Sequence, residues 1–271
     1  MVNENGQTVD KNRDILAEIA QDTRRRIAKE QQFLTMEMAK SAAESMKKGD
    51  FPFEKALRAP EMSFICEVKK ASPSKGLIAP NFPYVDIALD YETAGASAIS
   101  CLTEPHYFQG SNWYLEEIAD AVNIPVLKKD FTVDEYMIYQ AKIYKADAIL
   151  LICAILSDEE LKKFFALAEK LGLSAIFEAH DNVEIQRALA CGARIIGVNN
   201  RNLKTFELDL KNSLKYRKLV PNDVVFISES GIRTRQDIET LESYGVDAVL
   251  IGETLMRAPD KSKILGELRG L

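Results

Sequence analysis

The stretch at residues 67–76 combines charged side chains with a turn-forming loop in a way that suggests chemistry. Glu67 and Lys69 stand two residues apart, directly after the apolar run at residues 64–66. Strand side chains alternate between faces, so Glu67 and Lys69 share one face. Burying two opposite charges there is costly unless both point into a polar site. The Ser-Pro-Ser-Lys-Gly loop that follows has turn composition. An edge strand with a solvated ion pair is the alternative interpretation.

Polar residues follow most of the other apolar runs in the same way. Six of the eight runs end in ionisable or amide side chains: Glu67 and Lys69; Lys128, Lys129 and Asp130; Glu178, His180 and Asp181; Asn199, Asn200 and Arg201; Glu229; and Glu253. Any single member could be an ordinary surface charge. Together they indicate a functional site, because an unpaired buried ion costs roughly several kcal/mol. We interpret His180 and His106 as loop or capping residues rather than catalysts.

Two glycine-containing turns after the last two runs predict an anion site. Ser230-Gly231 and Gly252-Glu253 follow runs seven and eight. Glycine allows the backbone to approach an anion closely, and barrels commonly bind phosphate at these two positions. Two tight turns without a ligand are the alternative.

The elements that carry these residues repeat as strand and helix. Apolar runs start near Phe64, Ala98, Pro125, Ala148, Ser174, Ile195, Val224 and Ala248. Amphipathic segments lie between them, with capping residues at Ser157, Asp181 and Thr234, and with glycines (Gly95, Gly192, Gly245) at several ends. Eight such units predict an α/β fold, a closed (β/α)8 TIM barrel. An open doubly wound sheet is the alternative, but it usually carries a GxGxxG fingerprint after its first strand.

A helical region precedes the first strand. Apolar residues recur at helical spacing from about residue 13 to residue 46, and Phe51-Pro52-Phe53 and Pro60 are expected to break the pattern. We therefore predict a flexible terminus (1–11), a helical extension (12–62) packed against or across the barrel, and the barrel itself (63–271), all as one domain. The run Arg24-Arg25-Arg26 is interpreted as a solvated helix face.

The overall composition limits the possible partners and compartment. The net charge is −6 over 271 residues, which argues against nucleic acid or an anionic membrane as the main partner. The longest apolar run is too short to span a bilayer, and the polar start lacks the apolar core of a signal peptide. The four cysteines show no CxxC pair, and most lie in apolar runs, which predicts reduced thiols in the cytoplasm.

Seven segments together resemble the indole-3-glycerol phosphate synthase family, the barrel enzymes of tryptophan biosynthesis. They are EVKKASPSKG (67–76), YFQGS (107–111), LKKDF (127–131), EAHD (178–181), IGVNNRNL (196–203), SESGI (228–232) and IGE (251–253). The resemblance implies a carboxy-lyase that closes the pyrrole ring of 1-(2-carboxyphenylamino)-1-deoxyribulose 5-phosphate. Carbon dioxide and water leave, and indole-3-glycerol phosphate is the product.

The resemblance also implies roles for individual residues. The catalytic set is Glu67, Lys69, Lys129, Glu178, Asn199 and Ser230, and the substrate-binding set is Ser72, Pro73, Phe108, Phe131, Arg201, Gly231, Gly252 and Glu253. Lys129 would stabilise charge on the ketone oxygen, with Glu67 holding and polarising it. Glu178 would be the second acid–base group, with Lys69 sharing that role. Asn199 and Ser230 would bind the ribulose hydroxyls, and Arg201 would order its loop or meet an anion.

The remaining implied roles concern substrate binding. The phosphate would rest on backbone amides of Gly231, Gly252 and Glu253, with Ser72 or Lys69 completing the charge. Glu253 would contribute only its backbone. Pro73, Phe108 and Phe131 would hold the aromatic ring. Lys128, on the opposite strand face, should point at the helices or extend outward.

No metal or other cofactor is expected, because no Cys/His/Asp cluster has metal-ligand spacing. We expect a monomer or weak homodimer acting on a phosphorylated small molecule. Two rival functions remain open at this stage. One is a phosphoribosylanthranilate-type isomerase, which would need a cysteine or aspartate acid–base pair at opposed strand ends, whereas Cys66 faces outward. The other is a non-catalytic barrel that binds a phosphorylated ligand.

Overall fold

Eight parallel strands close into a barrel in the computed structural model, which describes residues 14–202 and 207–271. The strands are β1 (Ser63–Val68), β2 (Ala98–Leu102), β3 (Val126–Lys129), β4 (Ala148–Ile152), β5 (Ser174–Ala179), β6 (Ile195–Asn199), β7 (Val225–Glu229) and β8 (Ala248–Ile251). Each strand pairs with its neighbours in chain order, and β1 also pairs with β8. The (β/α)8 prediction is confirmed, and each strand begins within one residue of its expected start.

Side-chain alternation along the strands separates an inner core from an outer one. Ile65, Leu127 and Ile227 pack inside the barrel, whereas Cys66 and Val68 pack outward against the helices. The strand faces expected from period two are therefore correct for β1.

The helices surround the strands and begin at the predicted caps. They are α1 (Ile15–Glu30), α2 (Met36–Ser45), α3 (Pro52–Leu57), α4 (Tyr84–Thr93), α5 (Asn112–Ala121), α6 (Glu135–Ile143), α7 (Asp158–Leu171), α8 (Asn182–Ala190), α9 (Lys211–Arg217), α10 (Arg235–Ser243), α11 (Glu253–Arg257) and α12 (Lys261–Arg269). Ser157, Asp181 and Thr234 cap α7, α8 and α10 with their side chains. No helix in the described ranges is long and apolar enough to cross a membrane.

The N-terminal extension packs against both ends of the barrel. Ile15 and Ile19 of α1 reach the inner core from the end where the strands finish. Phe53 and Leu57 of α3 reach it from the opposite end, where the Glu54 backbone N–H donates to Ser174 Oγ at the start of β5. Between these two elements, α2 packs against α6. The extension therefore contributes apolar side chains to the inner core at both ends of the barrel.

Two details of the extension differ from expectation. Pro52 was expected to break the helical pattern, but it begins α3, because proline lacks only an N–H that the first turn leaves unused. Arg26 was expected on a solvated face, but its guanidinium is mostly buried and lies 3.2 Å from Asp130 Oδ1. The expected flexible terminus (1–11) and Leu203 of the family motif lie outside the described residues.

Candidate active site

A cavity of about 450 Å³ opens where the strands end. It is lined by every residue predicted for the site: Glu67, Lys69, Ser72, Pro73, Phe108, Lys129, Phe131, Glu178, Asn199, Arg201, Ser230, Gly231, Gly252 and Glu253. It is also lined by residues to which the sequence assigned no role, among them Glu229, Arg233 and, from α1, Ile15, Leu16 and Ile19. Strand ends, connecting loops and the extension therefore meet at one site.

Lys129 lies at the centre of a buried charge cluster. Its Nζ is 3.1 Å from Glu178 Oε2 and 3.7 Å from Glu229 Oε2. Burial lowers the pKa of Lys129, but the facing carboxylates outweigh burial and hold it above its usual value. Lys129 is therefore a fixed cation that points into the cavity.

Glu67 does not hold Lys129 in the way we expected. Its carboxylate forms an ion pair with Lys69, the next residue on the same strand face. Glu67 acts on Lys129 only through its charge, and Glu178 and Glu229 are the direct partners. Gly252 leaves room for the Glu67–Lys69 pair, since a Cβ at that position would overlap the Glu67 carboxylate and lie 2.9 Å from Lys69 Nζ.

Glu229 belongs to the cluster, although the sequence analysis counted it only among the polar strand ends and gave it no role. It is buried, and its Oε1 has no hydrogen-bond partner in the described part of the chain. Burial raises the pKa of Glu229 to about 7, because the loss of hydration outweighs the attraction of Lys129. Gly197 on β6 provides space for this carboxylate, which a Cβ there would overlap. Side-chain alternation along β7 could have placed Glu229 in the site, because it puts Glu229 on the inner face with Val225 and Ile227.

Glu178 is held by cations on both sides. Burial raises its pKa, but Lys129 and His180 outweigh burial and keep it well below the usual range. His180 Nε2 and Asn199 Nδ2 each lie 3.4 Å from Glu178 Oε1. The interpretation of His180 as a loop residue is partly right, since its backbone N–H donates to Glu184 of α8, but its ring faces Glu178.

The turns after β7 and β8 form the polar end of the cavity. Ser230 and Gly231 both have positive φ, 70° and 84°. Glu253, expected to contribute only its backbone, also uses its carboxylate, which lies 3.6 Å from Lys75 Nζ and 3.5 Å from Arg201 Nη2. It lies 3.2 Å from Arg257 Nε as well. The Glu253 side chain therefore ties the β1, β6 and β8 loops together.

Aromatic residues form the apolar wall opposite. The rings of Phe108 and Phe131 lie 6.2 Å apart, centroid to centroid. Glu104 orders the loop that carries Phe108, because its carboxylate accepts the backbone N–H groups of residues 106–108 at 2.6–3.0 Å. Tyr107 ties the same loop to α1, with its hydroxyl 2.9 Å from Glu18 and 2.6 Å from Asp22. The wall is thus held by both the barrel and the extension.

Lys128 faces away from the cavity, as strand alternation predicts. It points toward the helices but does not extend outward to solvent, because its Nζ pairs with buried Asp130 at 2.8 Å and contacts Thr103 at 3.0 Å. Arg26 of α1 completes this network. Burial lowers the pKa of Lys128 despite the charge of Asp130. The two adjacent lysines therefore belong to separate charge networks.

Comparisons with known proteins agree with this arrangement. The statistical model of the Indole-3-glycerol phosphate synthase family matches residues 16–268. The chain is 54% identical over 257 residues to the indole-3-glycerol phosphate synthase of Ruminiclostridium cellulolyticum, covering 94% of this chain and 99% of that one. It is 52% identical over 256 residues to the enzyme of that name from Endomicrobium trichonymphae, with 94% and 99% covered.

Solved structures show the same fold at low identity. A 3-hexulose-6-phosphate synthase superposes with a TM-score of 0.64 and 16% identity, over 77% of this chain and 99% of that one. A tryptophan synthase complex chain from Pyrococcus furiosus superposes with a TM-score of 0.58 and 14% identity, over 77% and 98%. At these identities the likeness supports the barrel fold alone.

Proposed function

The chain belongs to the indole-3-glycerol phosphate synthase family, and from this premise we propose how its cavity performs the family's reaction. The protein is a carboxy-lyase of tryptophan biosynthesis. It converts 1-(2-carboxyphenylamino)-1-deoxyribulose 5-phosphate to indole-3-glycerol phosphate, carbon dioxide and water. The observation that carries the residue assignment is the Lys129 ammonium, which two carboxylates hold at the centre of the cavity.

Lys129 is assigned to ring closure. The aromatic carbon that bears the carboxylate attacks the ketone carbon, and negative charge develops on the ketone oxygen. A fixed ammonium stabilises that charge more in the transition state than in the ground state, and it donates a proton to the oxygen. The bond to the carboxylate then breaks, carbon dioxide leaves, and the ring recovers its aromaticity. Glu178 and Glu229 set the position of the Lys129 ammonium for this step.

Glu178 and Lys69 are assigned to dehydration. The hydroxyl formed from the ketone leaves as water with a proton from Lys69, which stands beside Glu67. Glu178 accepts the proton that the substrate loses as the pyrrole double bond forms. That proton can return to Lys129 across the 3.1 Å contact, so both groups are reset for the next turnover. Lys69 recovers its proton from solvent, which matches the one proton consumed when a carboxylate leaves as carbon dioxide.

The two ends of the cavity are assigned to the two ends of the substrate. The phosphate rests on the backbone amides of Gly231, Gly252 and Glu253, with Ser72 or Lys69 nearby. Asn199 and Ser230 bind the hydroxyls of the open sugar chain. The aromatic ring packs against Pro73, Phe108 and Phe131. Arg201, whose backbone N–H donates to Asn199 Oδ1 at 3.0 Å and whose guanidinium meets Glu253, orders the loop after β6.

One pair of variants tests these assignments. Glu178→Gln should lower kcat roughly 10²-fold or more, the usual scale for losing an acid–base group. Glu253→Gln weakens the ion pairs that hold the β1 and β6 loops at the proposed phosphate end, so it should raise KM and leave kcat within a few-fold. Product formation is followed by indole fluorescence. The assignment fails if Glu178→Gln keeps the kcat of the unmodified enzyme.

Further parts of the proposal concern organisation and setting. We propose that the extension (12–62) and the barrel (63–271) form one domain, since α1 and α3 both reach the barrel's inner core. We propose a cytoplasmic protein that uses no metal or cofactor and is a monomer or weak homodimer. Sedimentation analysis over a range of protein concentrations tests the last point.

A further inference from the structure

His180 occupies a position between two carboxylates at the edge of the cavity. It follows β5 directly and precedes Asp181, the N-cap of α8. Its Nε2 lies 3.4 Å from Glu178 Oε1, and its Nδ1 lies 3.1 Å from Glu184 Oε2. The ring is largely shielded from solvent, with 20% of its side chain exposed. One imidazole therefore bridges a cavity carboxylate and a carboxylate of the surrounding helix layer.

The groups that surround this imidazole favour its charged form. Glu178 of β5 and Glu184 of α8 are its direct partners, and Glu229 of β7 interacts with it through charge alone. The nearby cations are Lys129 and Arg187, and the Cys153 thiol lies beside the same carboxylates. Burial lowers the pKa of His180, but the two partner carboxylates outweigh burial and raise it to about 10. The two carboxylates therefore favour the imidazolium at neutral pH, although the 3.4 Å contact of Nε2 with Glu178 is an ion pair and not a hydrogen bond.

Lys129 and His180 contact different oxygens of the Glu178 carboxylate, and they have different roles in the reaction. Lys129 contacts Oε2 and donates its proton during ring closure in the proposed function. His180 faces Oε1 and donates no proton in that step. When Lys129 becomes neutral, Glu178 loses one cation but keeps the other. We propose that His180 is a positioning residue that holds Glu178 in place as a carboxylate while Lys129 is deprotonated. This inference rests on the roles proposed above for Lys129 and Glu178.

Nuclear magnetic resonance can measure the coupling directly, because the chain contains two histidines. Long-range 1H–15N spectra of substrate-free enzyme should show both His180 nitrogens protonated at pH 7.5, with His106→Gln supplying the assignment. Glu178→Gln should lower the pKa of His180 by about one unit or more, the usual effect of removing an adjacent opposite charge. By thermodynamic linkage, His180 lowers the pKa of Glu178 by the same amount as Glu178 raises the pKa of His180. A neutral His180 ring at pH 7.5, or an unchanged titration in Glu178→Gln, overturns the proposal.

Kinetics supply an independent test that does not depend on the Glu178 variant. His180→Gln should lower kcat about tenfold, equal to one pKa unit of lost coupling, with KM changed less. The acid limb of the kcat–pH profile of this variant should move to higher pH, because Glu178 becomes easier to protonate. His180→Lys, which keeps a positive charge, should recover part of kcat. The matched control is His106→Gln, an exposed histidine outside the site, which should behave like the unmodified enzyme.

The outcomes distinguish this inference from the proposed function. A Glu178→Gln variant with normal kcat refutes the role of Glu178 itself. If Glu178→Gln lowers kcat but His180→Gln has a normal kcat and an unchanged acid limb in its pH profile, only the role of His180 is refuted. Equal damage in His180→Gln and His180→Lys, with no change in the pH profile, also refutes the charge argument.

Discussion

Replacing each of the two adjacent lysines by methionine should damage two different properties of the enzyme. Lys129→Met removes the cation that faces the cavity, and Lys128→Met removes the one that faces the helices. Methionine is of similar length and leaves no charge, so packing changes little. The structure predicts a large loss of kcat from the first variant and a large loss of stability from the second.

The kinetic magnitude follows from the contacts of Lys129. It is the cation between Glu178 and Glu229, so its loss removes the group that we propose as proton donor and as the charge opposite the ketone oxygen. The expected fall in kcat is roughly 10²- to 10³-fold, the scale observed for losing one acid or one oxyanion donor. KM should change less, because the proposed function binds the phosphate and the aromatic ring through other residues.

The stability magnitude follows from the contacts of Lys128. Its loss leaves Asp130 buried with Arg26 as its remaining cationic partner, at a cost of about 3 kcal/mol, the usual scale for breaking a buried pair. Lys129→Met should cost less, because Glu229, whose pKa is already about 7, can take up a proton and relieve the repulsion.

Two assays on the same samples separate these effects. Indole fluorescence at saturating substrate gives kcat, and urea denaturation at neutral pH gives the free energy of unfolding. We expect Lys128→Met to keep kcat within a few-fold and to lose stability. If Lys128→Met lowers kcat more than Lys129→Met does, the lysines are assigned to the wrong faces of β3, and the site assignment fails with them.

Three further predictions follow from other parts of the site. Burial raises the pKa of Glu229 from 4.5 to about 7, so the free energy of unfolding should fall by about 3 kcal/mol as pH rises through this interval; urea titrations should show that Glu229→Gln lacks this fall. Gly231→Ala should weaken competitive inhibition by inorganic phosphate several-fold, since φ is 84° there and the new Cβ would lie 3.3 Å from Leu208 Cδ2; unchanged inhibition would place the phosphate elsewhere. Tyr107→Phe should raise KM about fivefold with little change in kcat, because it removes one link of about 1 kcal/mol between the Phe108 loop and α1; an unchanged KM would show that this link is dispensable.

The barrel could be predicted from sequence because its signals are local. Strand starts, helix caps and the inward face of β1 depend on residues close together in the chain, and the structure agrees with them. Pro52 was misinterpreted because proline both ends helices and begins them, and only the packing of Phe53 decides between these cases. Local patterns of this kind hold unless tertiary contacts override them.

The pairing of charges could not be predicted in the same way. Alternation placed Glu67 and Lys129 at the cavity, but their partners come from other strands and depend on the barrel's register. Glu229 was given no role, because the sequence alone does not show that this inward-facing carboxylate lies 3.7 Å from Lys129. The burial of Arg26 likewise depends on Asp130, which is more than a hundred residues distant in the chain. Distant partners decide which charges are functional and which are structural.

The extension that packs against both ends of the barrel also has a consequence for the order of folding. Residues 14–57 are synthesised before any of the strands, yet Ile19 and Phe53 pack against an inner core that strands from β1 to β8 build together. Contacts between segments so distant in the chain form slowly, because a long loop must close before they stabilise anything. The segment that is synthesised first is therefore expected to dock last. Until it does, a nascent barrel exposes apolar surface at both ends, which is where a chaperone would bind it.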